Sequence, residues 1–423
     1  MSRLPPQARL AAIAVAVVLV LGGAIYALFL RGDGDEPVTQ AGSRFGSDEE
    51  SGRGGTLIDT LAPVLTARDE GRRTGSDPAA PSEDDLARAL GDAVAGLFVV
   101  GFPGKLRDTA FFERLGARPY GGVLLTRSNY EQPQQLSGLT SKVQEVARES
   151  GHPAPLVAAQ QEGGDFSAFP NLEPLSQVEV GEGNRDQIRA SARRTAEQLK
   201  ALGVGLNLGP NADIAVAGGP GQGRAFHDVP ARVTAAVKTS VAAYNRVGVA
   251  TAVGPFPGDG AASQDPNAGP APVGLGIEQL RENDMTPFAS VASGANAAPA
   301  IQMSNAIYVA YDSVTPATVL PDAVKELRER LGFDGAIVSA DLVATTATTG
   351  GSVGSAAVEA LKAGVDVLVV PGGRAQQDEA YRDVVAAVRS GDLPAGRVVD
   401  ALKRIAKLRA LTRDTREPVR IEG

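Results

Sequence analysis

The sequence predicts an α/β fold, a (β/α)8 TIM-like barrel preceded by an N-terminal transmembrane helix and a disordered linker. Three observations lead there: eight short apolar runs separated by helix-length segments, one unbroken apolar stretch near the N-terminus, and a polar, glycine-rich stretch between the two. The eight runs occupy 96–101, 122–125, 156–159, 204–208, 249–253, 299–303, 336–338 and 365–370. Runs this short, rich in Val, Ile and Leu and each followed by an amphipathic segment, are the pattern of parallel strands covered by crossover helices. Eight of them suit a closed barrel. The segments 187–202, 231–247, 317–331 and 379–389 carry apolar residues at three- and four-residue spacing, and Pro316 suits the first turn of its helix. A doubly wound open sheet is the alternative. It lacks a Gly-rich phosphate turn followed by Lys and a dinucleotide fingerprint.

The apolar stretch covers residues 10–30, and a helix of that length reaches about 31 Å, enough to span a bilayer. Arg3 and Arg9 precede it, while Asp33, Asp35 and Glu36 follow Arg31. The positive-inside bias therefore leaves residues 1–9 in the cytoplasm and everything beyond the span outside, making a single-pass protein of the cytoplasmic membrane with an extracytoplasmic C-terminal domain. A cleaved signal peptide is the alternative, but the run exceeds the usual length of about 7–15 residues and no Ala-x-Ala site follows. Residues 31–85 read as a flexible linker, broken by one apolar patch at 57–65. The barrel is expected at 86–412 and a short tail at 413–423.

Composition narrows the chemistry. The absence of cysteine excludes disulfides, thiolate nucleophiles and cysteine-based zinc sites. A net charge of -8 with no concentration of Lys and Arg argues against a nucleic-acid partner. The two histidines, His152 and His227, fall on expected loops, and no metal or cofactor is implied.

Several landmarks then appear in order. They are Gly121-Gly122-Val123-Leu124-Leu125 with Arg127 and Asn129; Gln161-Glu162-Gly163-Gly164; Asn207, Pro210 and Asp213; Gly223-Arg224-Ala225-Phe226; Phe256-Pro257-Gly258 with Gly260; Met303-Ser304-Asn305 with Asp312 and Pro316-Ala317-Thr318; and Ser339-Ala340-Asp341. Together they resemble the N-terminal barrel of glycoside hydrolase family 3, and in particular its single-domain bacterial β-N-acetylhexosaminidases. Glycines and prolines such as Gly163, Gly164, Pro257 and Gly258 serve the loop backbone whether or not chemistry is retained.

The resemblance implies a retaining glycosidase, whose nucleophile and proton donor stand about 5 Å apart across the scissile bond. It places the family's nucleophilic Asp at Ala340. Asp341 follows it, but successive strand residues point to opposite faces, so Asp341 is expected to turn away. The family's acid/base histidine falls at Asn267, in Ser263-Gln264-Asp265-Pro266-Asn267, with Asp265 as a possible remnant; an amide cannot exchange a proton near neutral pH. The Lys-His pair before Phe256 is Gly254-Pro255, the Asp opening the third-strand signature is Gln160, and two basic positions downstream are Asp165 and Ala168. Arg224 and Gln160 are left as candidate sugar contacts. His227 is a displaced-acid candidate only on its loop position.

These substitutions lead to the expectation of a pseudoenzyme, a membrane-tethered barrel that binds peptidoglycan or another cell-wall glycan, or a protein partner, without cleaving it. Two alternatives stand beside it. One is an active O-glycosyl hydrolase using relocated carboxylates among Glu162, Asp165, Asp228, Asp259 and Asp341; the other is a structural scaffold on the outer membrane face. Aromatic residues make up 4% of the chain and tryptophan is absent, which tilts the balance toward a protein partner, because sugar platforms usually rely on aromatic faces.

Overall fold

The computed structural model describes residues 83–412, apart from 106–108, 171, 173 and 174. The expected span at 10–30, the linker as far as residue 82 and the tail at 413–423 lie outside the described residues. No helix among the described residues is long and apolar enough to cross a membrane. The helix Glu83–Ala95 opens inside the stretch expected as linker.

Ten strands follow among the described residues: β1 (Phe98–Gly101), β2 (Gly122–Leu125), β3 (Leu156–Ala159), β4 (Leu206–Asn207), β5 (Ala250–Phe256), β6 (Pro272–Val273), β7 (Ala300–Met303), β8 (Ile307–Tyr308), β9 (Ala336–Asp341) and β10 (Val367–Val370). Eight of them close into a parallel barrel in the order β1-β10-β9-β7-β5-β4-β3-β2, and β6 and β8 pair separately in the loops that follow β5 and β7. Closure joins Phe98 to Leu368, Val99 to Val369 and Val100 to Val370. All residues of β1, β2, β3 and β10 are buried. Burial on both faces explains why these strands read as continuous apolar runs rather than alternating ones.

The crossover helices carry clear end signals. Arg185–Ala201 starts at Asn184, whose side chain accepts from the amides of Asp186 (3.0 Å) and Gln187 (3.1 Å), while Gln187 Oε1 accepts from the Asn184 amide (2.7 Å). The next helix, Pro230–Val247, has proline in its first turn and stops at Gly248, with φ 86°. The two pack together, and Ile188, Ala192, Ala196 and Leu199 on one are buried as Val233, Val237 and Val241 are on the other. Burying a Val, Leu or Ile side chain contributes roughly 1.5–3 kcal/mol.

One helix departs from expectation. The segment 317–331 is not continuous: Pro316 has extended backbone and caps a single 3-10 turn, Ala317–Val319, and the helix begins only at Pro321, running to Lys325 and on through a π-helical turn, Glu326–Arg330. The cause is Thr318, whose amide donates to Ser304 O (2.8 Å) and whose hydroxyl accepts from the Ala340 amide (3.0 Å). Those bonds hold the turn against the strand ends. The expected helix at 379–389 is longer, Arg374–Ser390, its polar first turn having hidden its start.

Two irregularities shape the end of the barrel where the strands finish. β5 shifts register against β7 between Val253 and Phe256. Gly254 lies there so close to β7 that a Cβ would meet the Gln302 Cβ at 2.9 Å. β10 shifts against β9 between Val367 and Val369, and Ser339 fills the break, its hydroxyl accepting from the Val369 amide (2.8 Å) and donating to Ala340 O (2.7 Å).

Candidate functional site

In a parallel barrel the loops after the strands form the reactive face, and here the loop after β3 is the most heavily anchored. Gln161 binds Phe169 at both its backbone groups, accepting from the amide (3.0 Å) and donating to the carbonyl (3.2 Å). Asn207, ending β4, accepts from the Gln161 amide (2.9 Å) and donates to its carbonyl (3.0 Å). Arg127, after β2, reaches the carbonyls of Asp165 and Ser167 at 3.2 Å. Gly163 sits at φ 93°, where an added Cβ would collide with Leu175 O. Residues 161–169 of the loop are thus pinned at several points. The loop presents Gln160 half-buried, Glu162 buried and Asp165 exposed.

Arg224, on the turn after β4, forms a two-pronged pair with Glu162: Nε to Oε2 at 2.5 Å and Nη2 to Oε1 at 2.7 Å. Its guanidinium also stands 5.5 Å from the Phe166 ring centroid. Gln160 Nε2 donates to the same Glu162 oxygen at 3.2 Å. The two candidate sugar contacts therefore converge on one buried carboxylate, and Arg224 is largely committed to it. Burial disfavours the Arg224 cation, but Glu162 outweighs that effect and its affinity for the proton is raised.

Beneath Arg224 lies a second pair of carboxylates. Asp213 accepts from Asn211 Nδ2 (2.9 Å) and from the Asp259 amide (2.6 Å). Asp259 Oδ1 accepts from the Ser304 hydroxyl and from the Tyr308 hydroxyl (2.9 Å). Both carboxylates are buried. Burial and the neighbouring Asp259 push the Asp213 carboxyl up to about 7, against the pull of Arg224. Burial also raises Asp259, opposed by its bonds from Ser304 and Tyr308. The Arg224 cation thus opposes, without cancelling, the upward push of burial on Asp213 and Asp259.

At the end of β9, Ala340 is buried, and its methyl offers no polar group. Asp341 has its carboxylate turned onto its own chain, accepting from the amides of Val343 (2.8 Å) and Ala344 (3.2 Å) as the N-cap of the helix Leu342–Thr349. Burial raises its pKa, opposed by those two amides. In the loop after β5, Asp265 is exposed and accepts from the Asn267 amide (2.9 Å). Asn267 Oδ1 accepts from Asn305 Nδ2 (3.0 Å), and Asn305 also donates to Asp341 O (3.0 Å) and accepts from the Thr345 hydroxyl (2.8 Å). One buried amide thus ties the loop after β5 to the end of β9. His227 lies between Asp228 (2.6 Å) and Arg232 (2.7 Å).

The half-exposed side chains at the strand ends are Thr126, Gln160, Pro255, Gln302, Asp341 and Pro371. All but Asp341 are neutral, while the loops beyond them on this face carry the charged Arg127, Asp165, Arg224 and Asp265. A cavity of about 40 Å³ lies behind it, lined by Gln161, Glu162, Gln177 and Tyr244 among others. A much larger one, about 570 Å³, lies at the opposite end, where β5, β7 and β9 begin. Size alone would choose the wrong end for strand-end chemistry. Among the described residues no group of three or more His, Cys, Asp or Glu could hold a metal ion. Sequence reasoning carried Ser304 and Asn305 only as landmarks and did not single out Tyr308. The available signal was a Ser-Asn pair directly ending an apolar strand, since buried polar groups must find partners.

Residues 95–408 match the family described as glycosyl hydrolase family 3 N terminal domain. An uncharacterized secreted glycosyl hydrolase of Arthroderma benhamiae is 29% identical over 77% of this chain and 94% of its own length. A β-hexosaminidase of Methylococcus capsulatus is 31% identical over 59% of this chain and 75% of its own. Among solved structures, the family 3 β-N-acetylglucosaminidase of a Paenibacillus species superposes with a TM-score of 0.72 at 26% identity, covering 77% of this chain and 63% of that one. The β-N-acetylhexosaminidase of Beutenbergia cavernae shares the fold with a TM-score of 0.69 at 24% identity, covering 76% and 98%. With the closed parallel barrel and the ordered strand-end motifs, these matches establish that the chain belongs to glycosyl hydrolase family 3 through that family's N-terminal barrel domain.

Proposed function

We propose that this protein is a non-hydrolytic member of the family, held at the outer face of the cytoplasmic membrane by residues 10–30, with a barrel that binds an N-acetylhexosamine-containing cell-wall glycan without cleaving it. The observation that carries this reading is the end of β9: Ala340 stands where the resemblance puts the nucleophile, and the adjacent Asp341 carboxylate is committed to its own helix. Retaining hydrolysis needs a carboxylate nucleophile and a proton donor facing each other across the bond. Asn267 supplies an amide bound to Asn305 at the expected donor position, and an amide cannot act as a general acid or base near neutral pH. The relatives named β-hexosaminidases support the glycan class, and the neutral amides and hydroxyl at the strand ends suit sugar hydroxyl groups.

The purified protein is expected to leave an aryl β-N-acetylglucosaminide uncleaved, and Ala340→Asp alone is expected not to restore cleavage, because Asn267, Gly254 and Pro255 still lack the donor and cationic ligands. Chitotriose should bind, and Gln160→Ala should weaken it. Arg224→Ala is a poorer probe, since it leaves Glu162 buried and unpaired. No detectable chitotriose binding would favour a protein partner. A second reading, hydrolysis by relocated carboxylates, draws on the exposed positions of Asp165 and Asp265. Turnover by the unmodified protein that disappears in Asp165→Asn or Asp265→Asn would establish it and sink the non-hydrolytic proposal. For the anchor, protease added to intact spheroplasts should remove the barrel; a protected barrel would reverse the topology.

A further inference from the structure

At the end of the barrel where the strands begin, Asp366 is fully buried just before β10 and is surrounded by three guanidinium groups. Arg328 reaches it at 2.6 Å, Arg397 at 2.8 Å and Arg404 at 3.4 Å. The first two each make three hydrogen bonds. Arg328 also donates to the carbonyls of Phe333 (2.8 Å) and Gly335 (2.6 Å), and Arg397 to those of Leu361 (3.0 Å) and Val365. Arg404 is held less: its contact with Asp366 is stretched, and its Nε is buried without a hydrogen-bond partner. The surplus of positive charge is felt within the cluster. Burial first, then Arg404 and Arg397, bring Arg328 down to about 10 against the pull of Asp366.

Arg404 lines the cavity of about 570 Å³, beside Lys407. Lys407 is exposed and pairs only loosely with Asp334, at 3.4 Å. Asp334 itself, Asn245 and Ser293 also line the groove, and the rest of the lining is largely apolar, with Val249, Ala250, Ala292, Pro299, Leu408 and Leu411 along it; Leu411 is 56% exposed. An under-used cation at one end of an apolar groove is complementary to an anion that carries a hydrocarbon body. We infer that this groove is a second ligand site, on the face opposite the strand-end loops, which takes a small aliphatic carboxylate: the carboxylate on Arg404 and Lys407, the chain along Leu408 and Leu411. It is independent of what the strand-end face does.

The test is calorimetric titration of the purified full chain with hexanoate, with hexan-1-ol and inorganic phosphate run as separate probes. Hexanoate is expected to bind at one site per chain, and hexan-1-ol and phosphate at least about tenfold more weakly, since each lacks one half of the complementarity. Arg404→Gln should weaken hexanoate by about tenfold or more. Ala295→Trp, at an exposed position on the groove wall, should block it by filling the space without altering charge. Hexanoate binding unchanged in both variants, or no saturable binding by any probe, overturns the proposal. Phosphate binding as tightly as hexanoate overturns the aliphatic specificity. Thermal melts of each variant within a few degrees of the parent establish that lost binding is not lost folding.

Discussion

The Asp341 carboxylate serves the helix that follows it. Its oxygen is spent on the amides of Val343 and Ala344, two of the donors that a helix start leaves without partners. Removing that cap by Asp341→Ala is expected to cost about 1 kcal/mol of stability, whereas Asp341→Asn, which keeps the acceptor, should cost only a few tenths. Denaturant titration of the two variants measures the difference. Equal losses would mean the carboxylate is doing something other than capping. The alternation rule anticipated that Asp341 would not share a face with Ala340. It could not anticipate that the strand ends there and a helix begins at once, because Leu342-Val343-Ala344-Thr345 has no turn signal between them.

Beside its β6–β8 pairing, the loop after β5 is tied to the end of β9 through one side chain. Asn305 binds Asn267 in that loop, Asp341 O at the end of β9 and Thr345 in the helix beyond. Asn305→Ala removes all three contacts, each worth about 0.5–1.5 kcal/mol net, while the Thr345 hydroxyl keeps its bond to Asp341 O (3.0 Å). The expected outcome is faster amide hydrogen exchange across 263–270, with the strands of the barrel unchanged. Uniform acceleration throughout the barrel would show that Asn305 supports the whole fold rather than this loop. The strands themselves were legible because a buried parallel strand leaves an apolar run with few exceptions; 122–125 and 156–159 were read to the residue. The helix at 317–331 was misread because its apolar spacing is real while Thr318 is taken by Ser304 and Ala340, partners more than ten residues away in sequence. The same limit hid the Asp213, Asp259, Ser304 and Tyr308 network. Each residue is unremarkable in its own segment, and the loops after three different strands bring them together.

For the whole molecule, that network sets a pH dependence. The folded state keeps a proton on Asp213 up to about pH 7, whereas an unfolded Asp releases it near about pH 4. The folded form therefore binds more protons than the unfolded one between those limits. This contribution to stability is complete below about pH 4 and is lost as pH rises through about 7. The melting temperature is expected to fall from about pH 5 to about pH 8, and Asp259→Asn, which removes the like charge yet keeps an acceptor for Tyr308, should flatten the fall. A parent protein equally stable at both ends of that range would contradict the buried pair as described. At the same scale, the seam between β1 and β10 has a temporal consequence. Phe98 pairs with Leu368, about 270 residues later in the chain. A growing polypeptide consequently cannot seal its barrel until β10 has been synthesised, and until then β1 carries a bare edge able to pair with any other extended segment. The emergence of β10, rather than the appearance of any early strand, sets the earliest moment at which the native barrel can exist.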